Sequence, residues 1–198
     1  MFVLGLTGSI GMGKSATAAM FRAEGIAIYD SDAAVHSLYK SKAVSAIEAA
    51  FPGTMRDGAV DRGRLAGVVL SDVAALARLE ALIHPLVAAS RDAFLVAAKE
   101  RGAGLVVLDI PLLFETESDR IADAIVLVTA PEAVQHERVR ARPGMTAERL
   151  AIILARQMPD AEKRARTHFI VDTGQGFAAA GRQVRGILRA VASAQNKV

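Results

Sequence analysis

The chain has 198 residues and a mass of 20.8 kDa, enough for one or two domains with a sizeable core. Hydrophobic residues at 52% against 23% charged exclude a disordered chain, and the absence of cysteine excludes disulfides, thiolate nucleophiles and cysteine-ligated metals. Lys and Arg number 24 against 21 Asp and Glu; the formal charge of +3 is too small a surplus for a dense nucleic-acid-binding surface.

The first segment, Phe2 to Leu6, is a short apolar run that reads as a strand. Residues 8–15, GSIGMGKS, then fit G-x-x-x-x-G-K-[ST], with Gly8, Gly13, Lys14 and Ser15 at the constrained positions. A polyphosphate must meet several backbone N–H groups at once, and glycines at 8, 11 and 13 leave no Cβ in the way. A helix from about Lys14 to Glu24 points its positive end at the anion; Lys14 reaches the β- and γ-phosphates, and the Ser15 hydroxyl ligates Mg²⁺. The segment Gly8 to Ala16, Met12 included, is thus a nucleotide phosphate site, placed between a strand and a helix as the motif requires. The opening MFVLGLTGSIG lacks a basic n-region and breaks on glycines, so no secretory signal and a cytoplasmic location are expected.

Ile26 to Tyr29 reads as a second strand, followed by Asp30-Ser31-Asp32. Ligands gather at the carboxyl ends of parallel strands, so Asp32 either positions or deprotonates a substrate hydroxyl or caps the helix beginning near Ala33. Residues 33–101 carry helical patterns and no convincing strand, and are too long for a simple crossover; a helical insertion is expected there. Inside it, Pro52-Gly53 and Asp57-Gly58 mark a loop, Pro85 should start or kink a helix, and His84 on its own reads as a packing residue.

Leu105 to Leu108 is a third strand, ended by Asp109, which resembles the acidic residue that approaches Mg²⁺ directly or through water. The following Leu112, Leu113 and Phe114 read as packing residues. Ala124 to Val128 is a fourth strand. Residues 131–166 form a basic helix–turn–helix around Pro143-Gly144, suited to a mobile cover. In it Gln135, Arg138 and Arg142 at i, i+3 and i+7 share a helix face, either aimed at a transferring phosphoryl group or simply solvated. Phe169 to Val171 is the last strand, closed by Asp172-Thr173-Gly174. Short apolar strands alternating with helices predict an α/β fold with a parallel sheet covered on both faces. No apolar stretch of about 18 residues lacks a charge or breaker, which argues against a membrane span. The four histidines show no zinc-ligand spacing.

The ordered combination resembles the dephospho-coenzyme A kinase family over nearly the whole chain. It comprises LTGSIGMGKS at 6–15, Asp-x-Asp at 30–32, Asp61-Arg62 followed by Leu65, Leu82-Ile83-His84-Pro85, and DIPLLFE at 109–115. Gln135-x-x-Arg138 with Arg142, Gln157 and Asp172-Thr173-Gly174 complete it. The resemblance implies a P-loop core at 1–32, 102–130 and 167–198 with strand order 2-3-1-4-5. It also implies an insertion at 33–101 for the coenzyme A moiety and a lid at 131–166. It implies a reaction in which ATP phosphorylates the ribose 3′-hydroxyl of dephospho-CoA, with Mg²⁺. Asp32 would then orient or deprotonate that hydroxyl and Arg138 would clamp the phosphates. Arg62 and His84 would line the acceptor pocket beside Leu113 and Phe114. Asp172 and Gly174 would approach the adenine, and Arg142 would join the ATP site. A monomer or weak homo-oligomer is expected, with no nucleic-acid or membrane partner.

Three positions depart from the family pattern. Thr167-His168 replaces the usual Ala-Asp, Asp172 stands where Asn is frequent, and Leu70 where an aromatic is frequent. A carboxylate cannot donate to adenine as an amide can, so that contact would use backbone groups. Another small-molecule P-loop kinase, for a nucleoside monophosphate or shikimate, is the nearest alternative; the long insertion and Ile-His-Pro count against it. A GTP switch lacks its Asn-Lys-x-Asp motif, since the only Asn is Asn196. A nucleic-acid-binding ATPase is disfavoured by two Tyr and no Trp.

Overall fold

A computed structural model describes residues 1–195, so residues 196–198 of the expected core lie outside the described residues. The chain divides into two units, 1–28 with 102–198, and 29–101.

The first unit carries the body of a five-stranded sheet. Its strands are β1 (Phe2–Thr7), β2 (Ala27–Asp30), β5 (Leu105–Asp109), β6 (Ala124–Thr129) and β7 (Phe169–Asp172), in the order β2-β5-β1-β6-β7. Counted along the sheet's own strands, that is the expected 2-3-1-4-5. β1 pairs in parallel with both neighbours, Leu4 opposite Val107 on one side and Ala124 on the other. Every residue of β6 is buried, which is why it reads as an unbroken apolar run rather than an alternating one. Helices α1 (Lys14–Ala23) and α9 (Phe177–Gln195) pack together against the sheet. α9 buries Ala180, Val184, Ile187 and Val191, one stripe at helical spacing. Each large aliphatic in that stripe contributes about 2 kcal/mol of transfer free energy. Three shorter helices, α6 (Glu132–Arg140), α7 (Ala147–Ala155) and α8 (Asp160–Ala165), lie between β6 and β7 in the chain.

The second unit is helical. Helices α2 (Ser31–Leu38), α3 (Val44–Ala50) and α4 (Arg62–Val69) all pack on α5 (Val73–Glu100). Leu38, Ile47, Phe51, Leu65, Leu79 and Ile83 form their shared core. Among the described residues, α5 is the one helix long and apolar enough to cross a membrane by length and composition; Ala75, Leu79, Ile83 and Ala98 are its buried residues.

One local expectation changes and one narrows. The insertion does contain strands: β3 (Met55–Arg56) and β4 (Ala59–Val60) pair antiparallel. The turn between them is Asp57-Gly58, with φ of 51° and 74°, the left-handed pair that a two-residue hairpin needs. Pro85 lies inside α5, which leaves only the kink of the two roles expected for it.

Candidate active site

The phosphate loop leaves the end of β1 and enters α1 through Gly13, whose φ of 93° makes it a left-handed N-cap. A glycine offers no side-chain cap, and the first turn of α1 holds no acidic residue. The amides of Lys14, Ser15 and Ala16 therefore have no acceptor within the helix and face the loop with the positive end of the dipole. Ser15 is exposed at this end and Lys14 half-buried. Lys14 Nζ donates to Asp109 Oδ1 at 2.6 Å, with the Asp109 side chain only 4% exposed. β5 lies beside β1, with Leu6 opposite Asp109, so the strand pairing itself delivers the carboxylate to the lysine.

Backbone space explains two of the glycines. A Cβ on Gly8 would stand 2.6 Å from the Val128 carbonyl oxygen of β6. Gly11 has φ +79°, and a Cβ there would stand 2.6 Å from Val139 Cγ2 and 3.1 Å from the Gln135 carbonyl. Helix α6 is thus seated directly on the loop.

Three side chains from beyond β6 hold the loop. Gln135, buried in α6, donates through Nε2 to the Ile10 carbonyl at 2.7 Å. Gln157, just past α7, accepts the Ile10 N–H at 3.2 Å. Both polar groups flanking one loop residue are therefore engaged by two glutamines from either end of the α6–α7 segment. Arg138 Nη1 donates to Thr173 Oγ1 at 2.8 Å and to the Gly11 carbonyl at 3.4 Å, and Nη2 donates to the Thr173 carbonyl at 3.0 Å. Thr173 Oγ1 donates in turn to the Met12 carbonyl at 2.7 Å, and Met12 Sδ accepts from the Ala130 N–H at 3.1 Å. Thr173 was legible only as part of the segment closing the last strand. Its buried hydroxyl gives Arg138 a second link to the loop beside the direct one to Gly11.

Arg142 does not share the helical face of Gln135 and Arg138. α6 ends at Arg140, and Arg142 is exposed in the following turn, its N–H bonded to the Val139 carbonyl. Pro143 disfavours helical backbone at the residue before it, so the helix stops short. Asp172 receives the Gly174 N–H on Oδ1 at 2.8 Å, while Gln183 bonds both backbone groups of Asp172. The carboxylate therefore shapes its own turn. Leu113 and Phe114 are buried with Ile125, and Arg166 lies over the Phe114 ring at 4.5 Å. His168 continues the ladder by donating its N–H to the Ile125 carbonyl at 3.0 Å, and its side-chain Nδ1 accepts the Ile125 N–H at 3.2 Å.

In the second unit Asp30, not Asp32, caps α2, accepting the Ala33 N–H at 2.9 Å. Asp32 is left in the first turn with its side chain exposed. Arg62 begins α4 behind Asp61, whose Oδ1 accepts the Gly63 and Arg64 N–H groups at 2.9 and 3.0 Å. Those bonds, the one from Arg64 foremost, hold the Asp61 carboxyl below the ordinary carboxylate range. Burial pushes the Tyr39 hydroxyl up, partly offset by the charge of Arg62. His84 is exposed midway along α5.

Among the described residues no group of three or more His, Asp or Glu could hold a metal by itself. Ser15 and Asp109 are hard oxygen donors, the type Mg²⁺ accepts when substrate phosphates complete its shell. The amides at the start of α1, Lys14 and the Arg138 that bonds Gly11 all belong to or contact this one loop, and such donors are of the type a polyanion takes.

The Dephospho-CoA kinase (CoaE) family model matches residues 2–178. The dephospho-CoA kinase of Mesorhizobium japonicum is 58% identical over 188 residues, 95% of each chain. That of Nitrobacter winogradskyi is 52% identical over 192 residues, 97% of this chain and 96% of the relative. Among solved structures, TT1252 from Thermus thermophilus superposes with a TM-score of 0.84 at 33% identity, covering 96% of each chain. The dephospho-CoA kinase from Campylobacter jejuni shares the fold at a TM-score of 0.67 and 19% identity, again over 96% of each chain. With a phosphate cradle built from the residues its motifs contribute, and with these relatives along nearly its full length, the chain belongs to the dephospho-CoA kinase family.

Proposed function

We propose that the protein transfers the γ-phosphoryl group of ATP to the ribose 3′-hydroxyl of dephospho-CoA, giving coenzyme A and ADP. The observation that carries the proposal is the convergence of Lys14, Arg138 and the α1 N-terminus on one loop, in a chain of this family. Gly8, Gly11, Met12, Gly13, Lys14, Ser15 and Ala16 hold the phosphates. The hydroxyl oxygen attacks the γ-phosphorus as its bond to the β–γ bridging oxygen breaks, and the hydroxyl proton leaves to a base. Little covalent chemistry is asked of the protein; positioning and charge stabilisation supply the rate.

Asp32 orients the hydroxyl or takes its proton, a role for which its carboxylate is available because Asp30 does the capping. Lys14 and Arg138 neutralise charge on the transferring oxygens. Ser15 and Asp109 would hold Mg²⁺, which when bound offsets phosphate charge. Arg62 and His84 serve the acceptor, and residues 33–101 form its binding region. Residues 131–166 act as the lid. Arg142, Asp172 and Gly174 serve the nucleotide, the adenine being read by backbone groups. A cytoplasmic monomer or weak homo-oligomer, engaging neither nucleic acid nor membrane, belongs to the same proposal.

An acceptor screen with ATP and Mg²⁺ tests this, comparing dephospho-CoA, AMP, CMP and shikimate by ADP release and product mass. Dephospho-CoA should be turned over at least about a hundredfold faster than the others by kcat/KM, the discrimination that about 3 kcal/mol of specific contacts supplies. Preference for AMP, CMP or shikimate would assign the chain another small-molecule acceptor.

A further inference from the structure

Outside the phosphate cradle, the first unit buries an ion pair that none of the roles above employs. Lys163 of α8 is fully buried, and its Nζ lies 3.0 Å from Glu115 Oε1, at the end of the loop that follows Asp109. The pair is close enough for charge attraction but not aligned as a hydrogen bond, and neither Lys163 Nζ nor Glu115 Oε2 has another hydrogen-bond partner among the described residues. Glu115 Oε1 accepts one good hydrogen bond, from the Met158 N–H at 2.7 Å. The residue before Met158 is Gln157, which holds the Ile10 N–H of the phosphate loop.

A buried pair with incomplete hydrogen bonding is a poor source of stability; an apolar pair of similar volume does as well or better. What such a pair can do is fix one arrangement of the segments that carry it. Here the segments are the loop after β5 and the stretch 157–163, and the latter carries the glutamine that grips the phosphate loop.

We propose that the Glu115–Lys163 pair is a positioning device for ATP binding: it fixes residues 157–163 so that Gln157 sets the Ile10 amide and, with it, the shape of the phosphate loop. Glu115 and Lys163 are positioning residues that act through Gln157 and touch neither substrate. This proposal rests on the ATP-binding reading above, which the wild-type arm of the experiment examines separately.

The experiment compares full-length wild type with Glu115→Gln, Lys163→Met, Glu115→Met/Lys163→Met and Gln157→Ala, and with Glu115→Gln combined with Gln157→Ala. Calorimetry gives the Kd for ATP, steady-state kinetics the two KM values and kcat, scanning calorimetry the Tm, and hydrogen exchange the protection of the Ile10 amide. Glu115→Gln should weaken ATP about tenfold at temperatures far below its Tm, leave the acceptor KM unchanged and expose the Ile10 amide to exchange. The double methionine variant should regain wild-type Tm without regaining ATP affinity, and so carries the test even where a single variant folds poorly. Combining Glu115→Gln with Gln157→Ala should be no worse than Gln157→Ala alone. Unchanged ATP affinity and Ile10 protection in the double methionine variant, with only Tm altered in the singles, would overturn the proposal. Additive losses in the combined variant would overturn it equally. Failure of the wild type to bind ATP would instead remove the ATP-binding reading, and this one with it.

Discussion

Lys14 and Asp109 are separated by 95 residues in sequence, yet Nζ and Oδ1 lie 2.6 Å apart at the carboxyl ends of neighbouring parallel strands. The lysine belongs to the phosphate loop and the aspartate to the strand beside it. One ion pair thus ties the nucleotide-binding turn to the sheet. The side chains are only 15% and 4% exposed, so the pair lies largely out of water.

Removing that cation should have two separable effects. Lys14→Met should lower stability by about 3 kcal/mol, because a nearly buried carboxylate loses this ion pair. It should also lower turnover by about a hundredfold or more, because the proposed mechanism uses Lys14 as a donor to the transferring oxygens. Lys14→Met combined with Asp109→Asn should regain most of the stability and none of the turnover, as read by urea denaturation and ADP release. Wild-type turnover in the double variant would remove the catalytic role of Lys14.

Gly11 should not tolerate alanine. The left-handed φ costs an L-residue about 1–2 kcal/mol, and the new methyl meets Val139. Gly11→Ala should therefore displace α6, weaken ATP and lower Tm. Adding Val139→Ala removes the 2.6 Å contact but neither the close approach to the Gln135 carbonyl nor the backbone strain, so it should restore only part of the Tm. Full restoration would mean that the φ at position 11 is unimportant.

Arg138 spans two acceptors on Thr173 with its two terminal nitrogens. A lysine has one compact ammonium and cannot do this. Arg138→Lys and Arg138→Ala should both lower kcat by about a hundredfold while changing the acceptor KM little. Rescue by lysine would show that charge alone matters at this position; an effect confined to acceptor KM would contradict a transition-state role.

The cap on α4 should be pH-sensitive. Hydrogen bonds hold the Asp61 carboxyl below its ordinary range, so the ionised form is favoured by folding. A carboxyl depressed in the folded state stabilises at pH above its unfolded value and loses that contribution as pH falls through the folded one. The stability difference between wild type and Asp61→Ala should therefore be largest above about pH 5 and shrink below about pH 4. Denaturation series at both pH values measure it; a difference that grows on acidification would reverse the sign of the argument.

Much of the site was legible because its residues obey local rules. GSIGMGKS needs glycine for space and a lysine and serine at a helix start, and those demands show directly in eight letters. Asp109 was legible because it ends an apolar run. The Asp57-Gly58 hairpin carried its turn signal, but strands of two residues are too short to show alternation. Arg142 was misplaced on a helical face because periodicity was counted across a boundary that Pro143 sets.

By itself, the sequence determined the alternation of buried strands and helices, the phosphate loop and the family, because each depends on residue type at fixed spacing. Only the tertiary structure decided which side chains close on that loop. Gln135 and Gln157 grip opposite sides of Ile10, Arg138 meets Gly11 directly and Met12 through Thr173, and Glu115 meets Lys163, all from positions far apart along the chain. No local pattern marks such partners: a glutamine or a lysine in a helix looks the same whether it faces water or a backbone amide. Strand order and close packing choose between those fates.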